Sequence, residues 1–106
     1  MSGFDDRGDA FENKFAHDEQ LQFKAMARRN KLLGLWVAEK LSLSGDEASE
    51  YAKAVVRSDF EEAGDEDVYR KIKADVDEAG IELSEADIRK AMSDILITAQ
   101  EQILSE

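Results

Sequence analysis

Residues 11–41, FENKFAHDEQLQFKAMARRNKLLGLWVAEKL, decide how the chain is read. The stretch opens acidic and aromatic, turns basic at Arg28-Arg29-Asn30-Lys31, and closes on an apolar run. Leu32, Leu33, Trp36, Val37 and Leu41 recur at helical spacing and make one broad apolar face. Asp18 is a residue type that caps helices, so the spacing predicts a helix from about Asp18 to about Leu41. The first half of that helix carries less. Ala25 and Met26 continue the face weakly, and the basic tetrad then interrupts it. This predicts a core at the carboxyl end of the helix, with an amino end that projects beyond the bundle or is loosely held. Gly34 lowers helix propensity inside the apolar half and is read as a point of close helix approach rather than a break.

Three further helices are expected downstream. Ser44-Gly45-Asp46-Glu47 has the pattern of a capping box, the serine hydroxyl serving the third amide and the glutamate reaching back. The helix it opens would carry Ala48, Tyr51, Ala52, Val55, Val56, Phe60 and Ala63 on one face, with Gly64 as a left-handed terminator. Asp65 opens a shorter helix with Val68, Tyr69, Ile72, Val76 and Ala79 on its face, closed by Gly80. Glu66 and Asp67 suit the positive end of its dipole. Ile81 and Leu83 anchor a short connection, and Ser84 with Asp87 starts a last helix carrying Ile88, Ala91, Met92, Ile95, Leu96, Ala99 and Ile103. Four helices joined by short loops make an all-α, antiparallel-style four-helix bundle over residues 18–106.

Upstream, residues 1–17 contain Gly3 and Gly8 and have poor helix propensity as far as Asp9. Phe4, Phe11 and Phe15 are spaced i, i+7, i+11, which would align them on one face of a helix. So short a helix is marginal alone in water. The expectation is a disordered or frayed tail that folds against a surface, with packing of the phenylalanines on the bundle as the alternative.

The whole chain has 106 residues, enough for one domain and one modest core. Proline is absent, so nothing locks φ or removes a backbone donor within the helices. The sequence contains no cysteine, which removes disulfides, thiolate metal sites and thiol nucleophiles. No apolar run of about 18 residues is present, so no membrane insertion is expected. MSGFDDRGD lacks a basic start followed by an apolar stretch, so no signal peptide is expected. A cytoplasmic location fits these features.

The net charge of −11 argues against nucleic acid as a partner, because phosphate binding needs basic surface. The charge is unevenly placed. Residues 1–20 hold six acids and two bases, residues 21–43 one acid and five bases, and residues 44–106 eighteen acids and seven bases. The first long helix is therefore the one basic part of the chain.

Candidate chemistry is sparse. The acids fall on exposed faces and first turns, which is the pattern of a solvated surface rather than a paired-carboxylate hydrolase. His17 is the single histidine, so a transition-metal site has no second imidazole or thiolate to draw on. Asp65-Glu66-Asp67 lies in a turn but lacks the twelve-residue calcium loop with its central glycine and closing glutamate. No glycine loop cradles a phosphate. Arg28, Arg29 and Lys31 form the one anion-site candidate: their ligand would be a phosphate or nucleotide, an acidic protein surface, or acids of neighbouring helices. No nucleophile–base pair stands out. Neither an enzyme nor a cofactor is expected.

Phe11-Glu12-Asn13-Lys14-Phe15-Ala16, Asp18-Glu19, Phe23-Lys24 and above all Ala27-Arg28-Arg29-Asn30-Lys31-Leu32-Leu33-Gly34-Leu35-Trp36 carry a resemblance. The chain is similar to the zeta subunit of the alphaproteobacterial F-type ATP synthase, a small inhibitor of the catalytic head. The resemblance implies a four-helix protein whose amino-terminal region becomes helical as it enters a cleft between catalytic head subunits near the rotor. There it would block rotation in the hydrolysis direction. It further implies the alpha, beta and gamma subunits as partners and a peripheral position at the inner membrane. On this reading Phe4, Phe11 and Phe15 are buried anchors. Asp5, Asp6, Arg7 and Glu12 would set register and encounter rate, and Lys14 belongs to the same partner-binding segment. Arg28, Arg29 and Lys31 would grip an acidic rim of the head or stay within the monomer. Gly8 departs from the best helix formers and costs up to about 1 kcal/mol of helix stability. Two other readings remain beside this one: a nucleotide- or anion-binding helical module without inhibitory activity, and a helical adaptor unconnected with the synthase.

Overall fold

A computed structural model of the protein describes residues 18–59 and 65–106. These residues form four α-helices and no strand: α1 (Glu19–Lys40), α2 (Gly45–Ser58), α3 (Glu66–Glu78) and α4 (Glu85–Ser105). The fold is the expected all-α bundle. Phe60, Ala63 and Gly64, assigned to the second helix and its end, lie outside the described residues, as does the whole of 1–17.

Helix lengths set the shape. At 1.5 Å per residue, α1 and α4 are each about 30 Å long and α2 and α3 about 20 Å. The two long helices run antiparallel, and the two short ones cover one end of that pair. The main core lies at the covered end, where Leu33 and Val37 of α1 meet Val55, Val68, Ile72, Val76, Ile88 and Met92. Trp36, Leu41, Tyr51, Tyr69, Ile81 and Leu83 pack against its margin. Ala79, expected on the face of α3, is exposed at the helix end.

A second, smaller core corrects the expectation for the first half of α1. Ala25 and Ile103 are buried together, flanked by Leu21, Leu96 and Leu104. The amino half of α1 is thus packed along the carboxyl half of α4. Because α4 is as long as α1, its last turns supply the apolar partner.

The helix ends show how local sequence fixes the bundle. Asp18 Oδ1 accepts from the amides of Gln20 and Leu21 at 3.0 and 3.1 Å, so the expected N-cap of α1 is formed. Ser84 and Asp87 exchange side-chain to backbone bonds at 3.1 and 3.2 Å in a complete capping box. At the end of α3, Gly80 has φ +74°, and the amides of Gly80 and Ile81 donate to Asp77 and Val76. This is a Schellman closure with glycine in its left-handed position. The end of α1 makes the same closure without glycine: Ser42 has φ +64°, and the amides of Ser42 and Leu43 donate to Glu39 and Ala38.

The capping box expected at Ser44 is not formed, since the Ser44 side chain makes no cap hydrogen bond. Gly45, the first residue assigned to α2, has φ +56°. Right-handed helical geometry therefore starts one residue later than the pattern assumed, and the serine is displaced from the amide it would have served.

Gly34 is the close approach anticipated for it. A Cβ there would lie 2.6 Å from Ala52 Cα and 3.3 Å from Val55 Cβ. The absent side chain lets α1 and α2 meet nearly backbone to backbone.

Candidate functional site

Eight of the candidate residues, Phe4, Asp5, Asp6, Arg7, Phe11, Glu12, Lys14 and Phe15, lie outside the described residues. What is described is the ground on which that segment stands: the capped start of α1 and the basic cluster one helix half further on.

The cluster divides by helical position. Arg29 and Asn30 are each 1% exposed. Arg29 Nε donates to Asn30 Oδ1 at 2.7 Å, and its Nη2 donates to Asp65 Oδ1 at 2.8 Å. Ala25, Arg29, Leu33 and Val37 are four residues apart in sequence and all buried, so Arg29 occupies a core position on the inward stripe of α1. Its charge is tolerated there because the guanidinium is paired and hydrogen-bonded, and Asp65, at the amino end of α3, reaches water on its other side. Arg28 turns toward α4, donating to Gln102 Oε1 at 2.8 Å and pairing with Glu106. Lys31 is exposed. Two of the three cations thus bond within the bundle, and the third faces solvent.

The other interhelical polar contacts follow the same pattern. Tyr51 OH donates to Asp75 Oδ2 at 2.7 Å, tying α2 to α3. Burial first, then this bond and the negative charge of Asp75, hold the Tyr51 phenol well above its ordinary value. Arg89 of α4 donates to Glu66 Oε1 at 2.8 Å and lies 4.1 Å over the Tyr69 ring. The acidic turn at Asp65-Glu66-Asp67 is consumed by arginines: Asp65 by Arg29, Glu66 by Arg89 and Asp67 by Arg70. Among the described residues, no group of three or more His, Cys, Asp or Glu side chains is placed to hold a metal ion. No helix among them is long and apolar enough to cross a membrane.

The family model of the ATPase inhibitor subunit zeta matches residues 1–102. The chain belongs to that family. As an ATPase inhibitor subunit zeta it is a regulatory, non-catalytic protein that associates with the ATP synthase. The match starts at residue 1, so it includes the aromatic segment ahead of α1 as well as the bundle. A protein structure solved by solution NMR is similar to this zeta chain at 52% identity. The likeness covers 80% of this chain and 96% of that one, with a TM-score of 0.72. No curated protein matches.

The sequence leaves the destination of Arg29 open and does not mark Asn30 as a core residue by its residue type. The signal was available in the four-residue spacing, since Arg29 and Asn30 sit on the stripes that run from Ala25 and Met26 to Val37 and Ala38.

Proposed function

We propose that residues 1–17 inhibit ATP hydrolysis by inserting as a helix between catalytic head subunits of the F-type ATP synthase, near the rotor, while the bundle stays outside. Phe4, Phe11 and Phe15 are the anchors, and Asp5, Asp6, Arg7, Glu12 and Lys14 set the register against the alpha, beta and gamma subunits. The observation that carries this reading is the i, i+7, i+11 spacing of the three phenylalanines in a segment the family match includes. Burying such a stripe contributes about 1.5–3 kcal/mol per side chain, the gain that offsets the ordering of a short helix. The bundle supports the reading through its first helix: the Asp18 cap defines where α1 begins, and two cores hold α1 along its length. A rigid α1 gives the segment a fixed point of attachment.

The test is inhibition by a Phe4→Ala/Phe11→Ala/Phe15→Ala variant of the full chain. Loss of inhibition with an unchanged bundle spectrum is expected. Full inhibition by that variant would place the activity elsewhere in the chain. The anion-binding alternative is favoured by no observation of equal weight, because Arg28 and Arg29 already bond to acceptors of the bundle.

A further inference from the structure

A groove of about 470 Å³ lies between α1 and α2, lined by Lys31, Leu35, Ala52, Lys53, Val56 and Arg57, with Ser49 at one end. Its floor is apolar, formed by Leu35, Ala52 and Val56. Its rim is cationic, in a chain whose net charge is −11. Lys31 and Arg57 are exposed and form no ion pair among the described residues, and Lys53 has Glu50 at 3.4 Å. Such a groove fits a bulky apolar side chain flanked by carboxylates.

We propose that the occupant is Phe4-Asp5-Asp6 of the same chain, docked in cis, with the Phe4 ring on the apolar floor and the two aspartates against Lys31, Lys53 and Arg57. Within 1–17 this is the one aromatic followed directly by two acids. The reach matches. Lys31 and Leu35 lie about 20 and 26 Å along α1 from Asp18. Fourteen residues of extended chain, 4–17, span up to about 46 Å, enough to turn back at Asp18 and bring Phe4 to either position. The path is also prepared, since Gln20, Lys24, Ala27, Lys31 and Leu35 recur at helical spacing and so share one side of α1, leading from the attachment point to the groove. The chain can therefore hold its own inhibitory segment. Taken with the function proposed above, on which this regulatory consequence rests, the segment divides between the groove and the catalytic head, and docking in cis lowers the apparent affinity by the fraction of time it is occupied.

The direct test uses the full chain with a nitroxide on Ser2→Cys, the one cysteine the molecule would then hold. Amide signals of Leu35 and of Ala52–Arg57 should lose at least twice the intensity lost by those of the α3–α4 connection. Asp5→Lys/Asp6→Lys, or Lys31→Glu/Arg57→Glu at exposed positions, should remove the difference. Equal losses at both places would overturn the proposal. So would a difference that survives charge reversal, or one that appears only between separate labelled chains, which would mean a second copy occupies the groove. In hydrolysis assays Lys31→Glu/Arg57→Glu should inhibit at severalfold lower concentration, and weaker inhibition would assign the groove to the head instead. A wild-type chain that shows the relaxation effect but never inhibits would defeat the proposed function and leave the docking intact.

Discussion

The side chains of Arg29 and Asp65 stand 36 residues apart in sequence and meet at 2.8 Å, joining the middle of α1 to the N-cap of α3. The arginine is 1% exposed, while the aspartate side chain is 44% exposed. The pair therefore has one buried end and one hydrated end. The aspartate keeps much of its hydration, and the arginine stem fills core volume. Removing the arginine head loses packing and leaves Asn30 without its donor. Arg29→Ala should destabilise the bundle by about 2–4 kcal/mol in denaturant unfolding. Arg29→Met, which retains volume, should cost clearly less. Equal losses would mean that the charge, rather than the packing, holds α1 to α3.

At Gly34, alanine would improve helix propensity by about 1 kcal/mol. It would also place a methyl group 2.6 Å from the Ala52 backbone, where no flexible side chain can give way. Overpacking of this kind costs about 1–3 kcal/mol, so the second effect wins. Gly34→Ala should lower the denaturation midpoint, with a net loss of up to about 2 kcal/mol. A stabilised variant would show that α1 and α2 can separate freely.

Ser42 stands in the left-handed region at φ +64°, where its Cβ is strained and glycine is not. Ser42→Gly should raise stability by up to about 1 kcal/mol, since relief of that strain exceeds the entropy glycine adds to the unfolded chain. Thermal unfolding of the two proteins side by side measures it. A lower midpoint for the glycine variant would mean that the closure at Leu43 does not depend on this conformation.

How far these features were legible depended on the kind of signal. Asp18, Gly80 and the Ser84–Asp87 pair have side chains or backbone preferences specific to helix ends, and each stands where its chemistry predicts. Gly34 was legible because a glycine inside an apolar stripe has few other uses. Ser42 was not, since serine rarely enters the left-handed region and only the Schellman bonds of Leu43 and Ser42 hold it there. The Ser44 pattern misled because Gly45 can take a φ that the motif does not allow. The partner of the amino half of α1 was hidden for another reason: Leu96, Ile103 and Leu104 show a face on α4, but not that it extends past the two shorter helices. The assignment of inhibition to residues 1–17 is a proposal that rests on aromatic spacing, and the place of that segment on the head depends on a partner surface that this chain does not encode.

Alkaline conditions should weaken the α2–α3 contact. Tyr51 holds its proton more tightly in the folded protein than in the unfolded chain, through burial and its bond to Asp75. Its contribution is therefore fully present below the ordinary tyrosine value near pH 10 and is lost as pH rises above it. The stability advantage of the wild type over Tyr51→Phe should fall above that pH, by at most about 1.4 kcal/mol per pH unit. A difference that stays constant from pH 8 to 11 would mean the phenol titrates alike in both states.

In the function proposed above, inhibition resides in the segment ahead of Asp18 and not in the bundle. ATP hydrolysis by the purified F-type ATP synthase head, measured with the full chain and with a chain beginning at Asp18, tests it most directly. The full chain should inhibit, and the truncated chain, folded to the same helical content, should not. Equal inhibition by both would put the activity in the bundle and leave the segment ahead of Asp18 without a part in it.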